Sequence, residues 1–197
     1  RAENVEHNRI KHVLVDDFLS PVGIFRTITL YRAIRKSGHG IIEAFVRRSS
    51  SEMGFNTARL LSPALRDSLF GSSAMRNALW LATFESVARK VHAVKIFYLM
   101  ESQAWEKALL HTMGSRGQSY GFIHSSVRFW DLRYFFPVTD DGPTSNLPRP
   151  NKILVGSIND REVLRNAGVL EESIHQVEAL RYLYLLDYPS ADKPTPE

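Results

Sequence analysis

The chain has 197 residues, of which 44% are hydrophobic and 11% aromatic, with no cysteine and a net charge of +4 at pH 7. This composition is typical of a globular protein and excludes collagen-like, low-complexity and largely disordered chains. The absence of cysteine also excludes disulfide frameworks, zinc fingers and thiol hydrolases.

The first ninety residues contain predicted helices and two predicted strands. Residues 12–18 (HVLVDDF) and 41–48 (IIEAFVRR) are rich in β-branched residues, which favours strands. Between them, apolar residues recur at steps of three and four, which predicts a helix that ends at Gly38. Residues 56–69 and 74–91 have a helical pattern.

From His92 onward the pattern alternates between strands and helices. The predicted strands are 92–100, 119–124, 151–157 and 174–179, and the predicted helices are 103–113 and 160–167. Gly121, inside the second of these strands, would allow a close backbone approach. The Pro-containing stretch 138–150 is typical of a linker. The alternation predicts an α/β protein with a largely parallel sheet.

Polar side chains follow two of the predicted strands. Because ligands of α/β sheets bind beyond the carboxyl ends of strands, Glu101 and the group His124, Ser125 and Ser126 are candidate site residues. Glu101 could be a general base or an acid favoured by a helix N-terminus. His124 could be an acid, a base or a phosphate contact, or a core histidine bonded to a carbonyl.

The segment 127–136 places two arginines and an acid among aromatic residues. Arg128, Trp130, Asp131 and Arg133 could hold a nucleotide or sugar through charge and stacking. An Arg128–Asp131 or Asp131–Arg133 ion pair in a packed loop is the alternative. The histidines have no metal-ligand spacing, so we expect no metal site. The basic residues are scattered, so we expect no nucleic-acid partner.

Four segments resemble the bacterial surface carbohydrate biosynthesis protein family, glycosyltransferases of polysaccharide and O-antigen loci. The segments are YLMESQAWEKALLH (98–111), GFIHSSVRFWDLRYFF (121–136), NKILVGS (151–157) and VEALRYLYL (177–185). The order of elements is also similar to the middle of GT-B glycosyltransferases. Ser102 stands where the family has asparagine, so the resemblance implies no role for an amide there.

The resemblance implies a domain organisation and an activity. Residues 1–137 would form an acceptor-side Rossmann-like domain, 138–150 a linker, and 151–197 the start of an incomplete donor-side domain. Glu101 and His124 would face the cleft as catalytic residues. Ser125, Ser126, Arg128, Trp130, Asp131 and Arg133 would bind substrate.

The resemblance also implies partners and a location. The partners would be a nucleotide sugar and a glycan acceptor of surface polysaccharide or lipopolysaccharide, with no cofactor. The protein would be cytoplasmic, with possible peripheral contact at the inner membrane. The oligomeric state stays open, as does a non-catalytic module that binds glycan or protein through residues 127–136.

Overall fold

A computed structural model describes most of the chain between His12 and Glu178. The described residues are 12–52, 57–92, 95–114, 116–128, 131–134, 138–139, 142–143 and 147–178. Contacts group the chain into two units, Arg1–His92 with His111–Met113, and Ala93–Leu110 with Gly114–Glu197.

The described residues of the first unit include three long helices, α1 (Pro21–Glu52), α2 (Thr57–Phe70) and α3 (Ser72–Lys90). α1 packs against both α2 and α3. The buried positions of α1 include Thr27, Gly38 and Ile42, which lie on one stripe of the helix. α3 buries small residues at steps of four, Ala74, Ala78 and Ala82, so its backbone can approach its neighbours closely.

Gly38 lies inside α1, so the prediction that it ends the helix is wrong. A Cβ atom at Gly38 would lie 2.8 Å from Cζ of Phe70 and 3.3 Å from Cβ of Leu69. The glycine is therefore a contact point between helices. The predicted strand 41–48 is also wrong, because these residues continue α1 and Ile42 lies on its buried stripe. β-propensity is weak and packing overrides it.

The predicted strand 12–18 is replaced by a turn. Val15–Phe18 form a short 3-10 helix, in which the amide of Asp17 donates to the carbonyl of Leu14 at 3.1 Å. Adjacent acids such as Asp16 and Asp17 favour turns. The described residues between 12 and 92 contain no strand. Residues 1–137 were expected to form one Rossmann-like domain, whereas in the described part of the chain the first strand of the sheet begins at Lys95.

The second unit contains a four-stranded sheet in the order β1-β2-β5-β6, with all neighbouring strands parallel. Its elements are β1, Lys95–Leu99; α4, Ala104–Met113; β2, Gln118–Ile123; β3, Val138–Thr139; β4, Gly142–Pro143; β5, Lys152–Val155; α5, Ile158–Asn166; and β6, Ile174–Gln176. β3 and β4 form a short antiparallel pair. This mixed α/β architecture is compatible with a Rossmann-like fold.

The strand after the Pro-containing stretch joins the same sheet. β5 pairs with β2, with Tyr120 opposite Lys152 and Ile123 opposite Val155. We expected residues 138–150 to link two domains and 151–197 to open the second, but β5 and β6 extend the sheet begun by β1 and β2. An apolar run predicts a strand without saying which sheet it joins, and consecutive strands usually become neighbours.

The core of the second unit lies on one face of the sheet. Alternate residues of β2 and β5 are buried there, and Leu164 of α5 packs with them. The buried cluster consists of Met100, Ile123, Val127, Tyr134, Ile153, Val155, Leu164, Val169 and Ile174. A Cβ atom at Gly121 would lie 3.0 Å from Sδ of Met100, which confirms the predicted close approach.

Candidate functional site

The loop after β1 is organised around a buried carboxylate. Oε1 of Glu106 accepts hydrogen bonds from the backbone amides of Glu101 at 2.9 Å and Gln103 at 3.0 Å, and Oε2 accepts from the amide of Ser102 at 3.1 Å. Glu106 is 1% exposed. Ser102 has a φ of 57°, a left-handed conformation that non-glycine residues rarely adopt. The three amides fix the backbone that carries Glu101.

Glu106 therefore occupies the place where an α/β loop often binds phosphate. Backbone amides at a helix N-terminus attract anions, and here the chain supplies the anion itself. Gln103 is the N-cap of α4 and Glu106 is its N3 residue, so the two form a capping box. The three-residue spacing of Gln103 and Glu106 is visible in the sequence. The sequence did not indicate that Glu106 would accept hydrogen bonds from the loop amides.

The loop after β2 is held by a second buried carboxylate. Oδ1 of Asp160 accepts from the amide of Val127 at 2.6 Å, and Oδ2 accepts from the hydroxyl of Ser157 at 2.7 Å. Asp160 is 6% exposed. Ser157 is the N-cap of α5, and its hydroxyl oxygen accepts from the amide of Asp160. We did not predict Asp160 from the sequence, although Ser157-x-x-Asp160 is a helix-start pattern.

These two loops bring Glu101 and His124 together. Nε2 of His124 lies 3.8 Å from Oε1 of Glu101, and their side chains are 37% and 48% exposed. The pair is close because β1 and β2 are parallel neighbours, with Leu99 opposite Phe122. The distance is longer than a hydrogen bond but permits an ion pair when the imidazole is protonated. A half-exposed carboxylate and imidazole can both exchange protons with a bound molecule.

Asp131 and Arg133 form the ion pair that the sequence left as an alternative. Nε and Nη2 of Arg133 donate to the two oxygens of Asp131 at 2.8 and 2.6 Å. The guanidinium hydrogen bond holds the pKa of Asp131 below its usual value, and the same bond raises the pKa of Arg133. Nη1 of Arg133 donates to the carbonyl of Glu101 at 3.1 Å. Arg133 therefore helps to fix the backbone of the loop after β1 at Glu101.

Tyr134 adds a buried anchor at the same point. Its hydroxyl donates to the carbonyl of Met100 at 3.0 Å, and burial raises its pKa. The hydroxyl of Ser102 donates to the carbonyl of Arg133 at 3.4 Å. Residues 131–134 are thus attached to the end of β1 through several bonds.

The remaining predicted substrate residues lie along the loop after β2. Ser125, Ser126 and Arg128 are exposed, and the carbonyl of Arg128 accepts from the amide of Asp131 at 2.9 Å. This hydrogen bond connects the loop after β2 to the segment 131–134. Trp130 lies outside the described residues.

The described residues contain neither a cluster of metal ligands nor a membrane-spanning helix. In that part of the chain, no group of three or more His, Asp or Glu side chains could hold a metal ion. Among the same residues, no helix combines the length and apolar character that crossing a bilayer requires.

Comparison with protein-family models, curated proteins and solved structures found no match to this chain.

Proposed function

We propose that this protein transfers a sugar from a nucleotide-sugar donor to a glycan acceptor of bacterial surface polysaccharide or lipopolysaccharide. The observation that carries the proposal is the pair of Glu101 and His124, 3.8 Å apart at the carboxyl ends of adjacent parallel strands. This is the edge at which α/β sheets bind ligands. Both side chains are partly exposed, whereas the backbone around them is fixed by buried carboxylates.

In the proposed reaction Glu101 is the base and His124 positions the acceptor. The acceptor hydroxyl gives its proton to the Glu101 carboxylate, and its oxygen forms a bond to the anomeric carbon of the donor. The bond between that carbon and the nucleotide phosphate breaks, and the nucleotide leaves with the electron pair. His124 donates a hydrogen bond to the acceptor, and Arg128 adds positive charge near the leaving group.

The finer architecture in this proposal is of the GT-B type, in which two Rossmann-like domains share the substrates. We assign the described sheet to the acceptor side. The support is Glu106, whose carboxylate already accepts hydrogen bonds from the amides of residues 101–103. These amides are therefore not available to bind a donor diphosphate. The donor phosphates would then be bound by a second domain. The reaction would take place in the cytoplasm, with acceptors at the inner membrane.

The test is a transfer assay with single substitutions in the complete protein. UDP-, GDP-, CMP- and dTDP-sugars are offered with lipopolysaccharide acceptors, and product is detected by mass spectrometry. Glu101→Gln and His124→Ala should each reduce kcat/KM by about 100-fold or more, with little change in melting temperature because both side chains are partly exposed. Glu162→Gln, an exposed acid on α5, is the matched control. Full activity in both site variants, or no transfer by the unaltered protein with any donor, would contradict the proposal.

A second candidate function is a non-catalytic glycan-binding module. The observation in its favour is the exposed Arg128, whose carbonyl accepts a hydrogen bond from the amide of Asp131 at the start of the segment 131–134. In this module Arg128 and Trp130 would contact the glycan. In this case Arg128→Ala and Trp130→Ala would weaken glycan binding in a salt-dependent manner, and no donor would be turned over.

A further inference from the structure

The outward face of α1 begins with exposed apolar side chains. Val22 and Phe25 lie one helical turn apart, and each is 71% exposed. Leu14 and Leu19, which precede the helix, are 62% and 36% exposed. Isolated exposed apolar residues are common, but several large ones in a short stretch mark an interaction surface.

Basic side chains continue the same face. Arg32 and Lys36 are exposed and follow Phe25 by seven and eleven residues, steps that return to nearly the same side of a helix with 3.6 residues per turn. Thr27 and Gly38 are buried on the opposite side, where α1 packs against α2 and α3. The outward face is therefore apolar at its start and basic further along.

The charge of the chain is concentrated in the unit that carries this face. α1 alone contains six Lys and Arg against two Asp and Glu, a net charge of +4. Residues 12–92 contain eleven Lys and Arg and six Asp and Glu, which gives a net charge of +5. Residues 93–178 contain nine Lys and Arg and ten Asp and Glu, which gives a net charge of −1. Acids among the described residues near the face include Glu43, Asp16 and Asp17 next to Leu14, and Glu85, which forms an ion pair with Arg26. A helical unit with this excess of positive charge attracts an anionic partner.

We propose that the outward face of α1 binds the surface of an anionic phospholipid membrane. Exposed apolar and basic side chains on one helix face are the signature of helices that lie in the membrane interface. Phe25 and Val22 would enter the boundary between headgroups and acyl chains, while Arg32 and Lys36 pair with lipid phosphates. A nucleic acid would use the basic residues but give no reason for the apolar ones. The proposal uses only the helical unit and does not depend on the glycosyl-transfer site.

The experiment measures co-sedimentation of the full chain with lipid vesicles. One set contains equal amounts of phosphatidylcholine and phosphatidylglycerol, and the other contains phosphatidylcholine alone. Binding should be selective for the anionic vesicles. Phe25→Ser should weaken it about tenfold, as expected for one large apolar side chain, and Arg32→Gln and Lys36→Gln by about fivefold each. All these side chains are exposed, so melting temperatures should stay unchanged.

Two control variants match the chemistry elsewhere on the protein. Leu170→Ser removes an exposed leucine, and Arg165→Gln removes an exposed arginine of α5. Both should bind anionic vesicles as the unaltered chain does. The proposal is overturned if the site variants bind like these controls, or if both vesicle types bind equally. It is also overturned if the chain ignores vesicles and binds single-stranded RNA in a manner insensitive to Phe25→Ser.

Discussion

Replacing Glu106 with glutamine tests whether its buried carboxylate organises the loop after β1. One oxygen of Glu106 accepts from the amides of Glu101 and Gln103, and the other accepts from the amide of Ser102. In Glu106→Gln one oxygen remains for two of the donors. The new NH2 group then faces a third N–H, and two donors cannot bond to each other.

The size of the effect follows from the kinds of bond that change. Hydrogen bonds to a charged group contribute about 1.5–3 kcal/mol each and neutral ones about 0.5–1.5 kcal/mol. The substitution removes one charged bond and converts two to neutral ones. Water can reach part of the loop, because Glu101 and Gln103 are exposed, and this reduces the loss. We expect the free energy of unfolding to fall by about 2–4 kcal/mol.

Urea unfolding followed by circular dichroism measures this loss, and hydrogen exchange locates it. The amides of Glu101, Ser102 and Gln103 should exchange faster in Glu106→Gln than in the unaltered chain. The control is Glu162→Gln, on the exposed side of α5, which should change stability by less than about 0.5 kcal/mol. If Glu106→Gln matched this control and exchange at the three amides were unchanged, the carboxylate would not be holding the loop.

Three further changes test other parts of the structure. Gly121→Ala places a methyl group against the buried Met100 and should lower the free energy of unfolding by about 1–3 kcal/mol in urea titrations. An unchanged free energy of unfolding would mean that β2 can accommodate a Cβ atom at this position. Gly38→Ala should lower the melting temperature, despite the better helix propensity of alanine, because its Cβ would meet the ring of Phe70; a higher melting temperature would contradict this contact. Arg133 holds the pKa of Asp131 below its ordinary value of 3.8, so the pair stabilises the fold above that value and the stabilisation is lost as pH falls through the lowered pKa. In Arg133→Gln, carboxyl NMR should show the pKa of Asp131 rising toward 3.8, and an unmoved pKa would refute the assignment.

The elements of the second unit could be predicted from the sequence because local pattern and final structure agree there. Short apolar runs bounded by polar residues predicted β1, β2, β5 and β6, and the helices between them were also predicted. Strand ends pointed to Glu101 and His124 as candidates, and in the structure Nε2 of His124 lies 3.8 Å from Oε1 of Glu101. The rule that strand ends share an edge requires no knowledge of side-chain packing.

The helical unit could not be predicted in the same way. Residues 41–48 have the composition of a strand, but their place in α1 depends on packing against distant residues. Gly38 looks like a helix end in the sequence, whereas its role is to admit the ring of Phe70, more than thirty residues away along the chain. The pairing of β5 with β2 is also a long-range choice, which the apolar run 151–157 does not specify.

Part of the geometry of the candidate site could be predicted from the sequence. Strand ends identified Glu101 and His124, but the groups that fix their backbone, Glu106 and Asp160, were missed as site residues. Acids in the first turn of a helix usually interact with nearby amides and solvent. Only the folded structure shows that these two are buried and bonded to the loops that carry the candidate residues.

The spatial order of the sheet, β1-β2-β5-β6, is also the order in which the strands are synthesised. Each described strand of this sheet can therefore pair with the strand of the same sheet that was made before it, and none has to insert between two earlier ones. Unpaired strand edges of a partly made chain promote aggregation. Among the described strands, each new one adds to the edge formed last, so the order of the strands suits folding during translation.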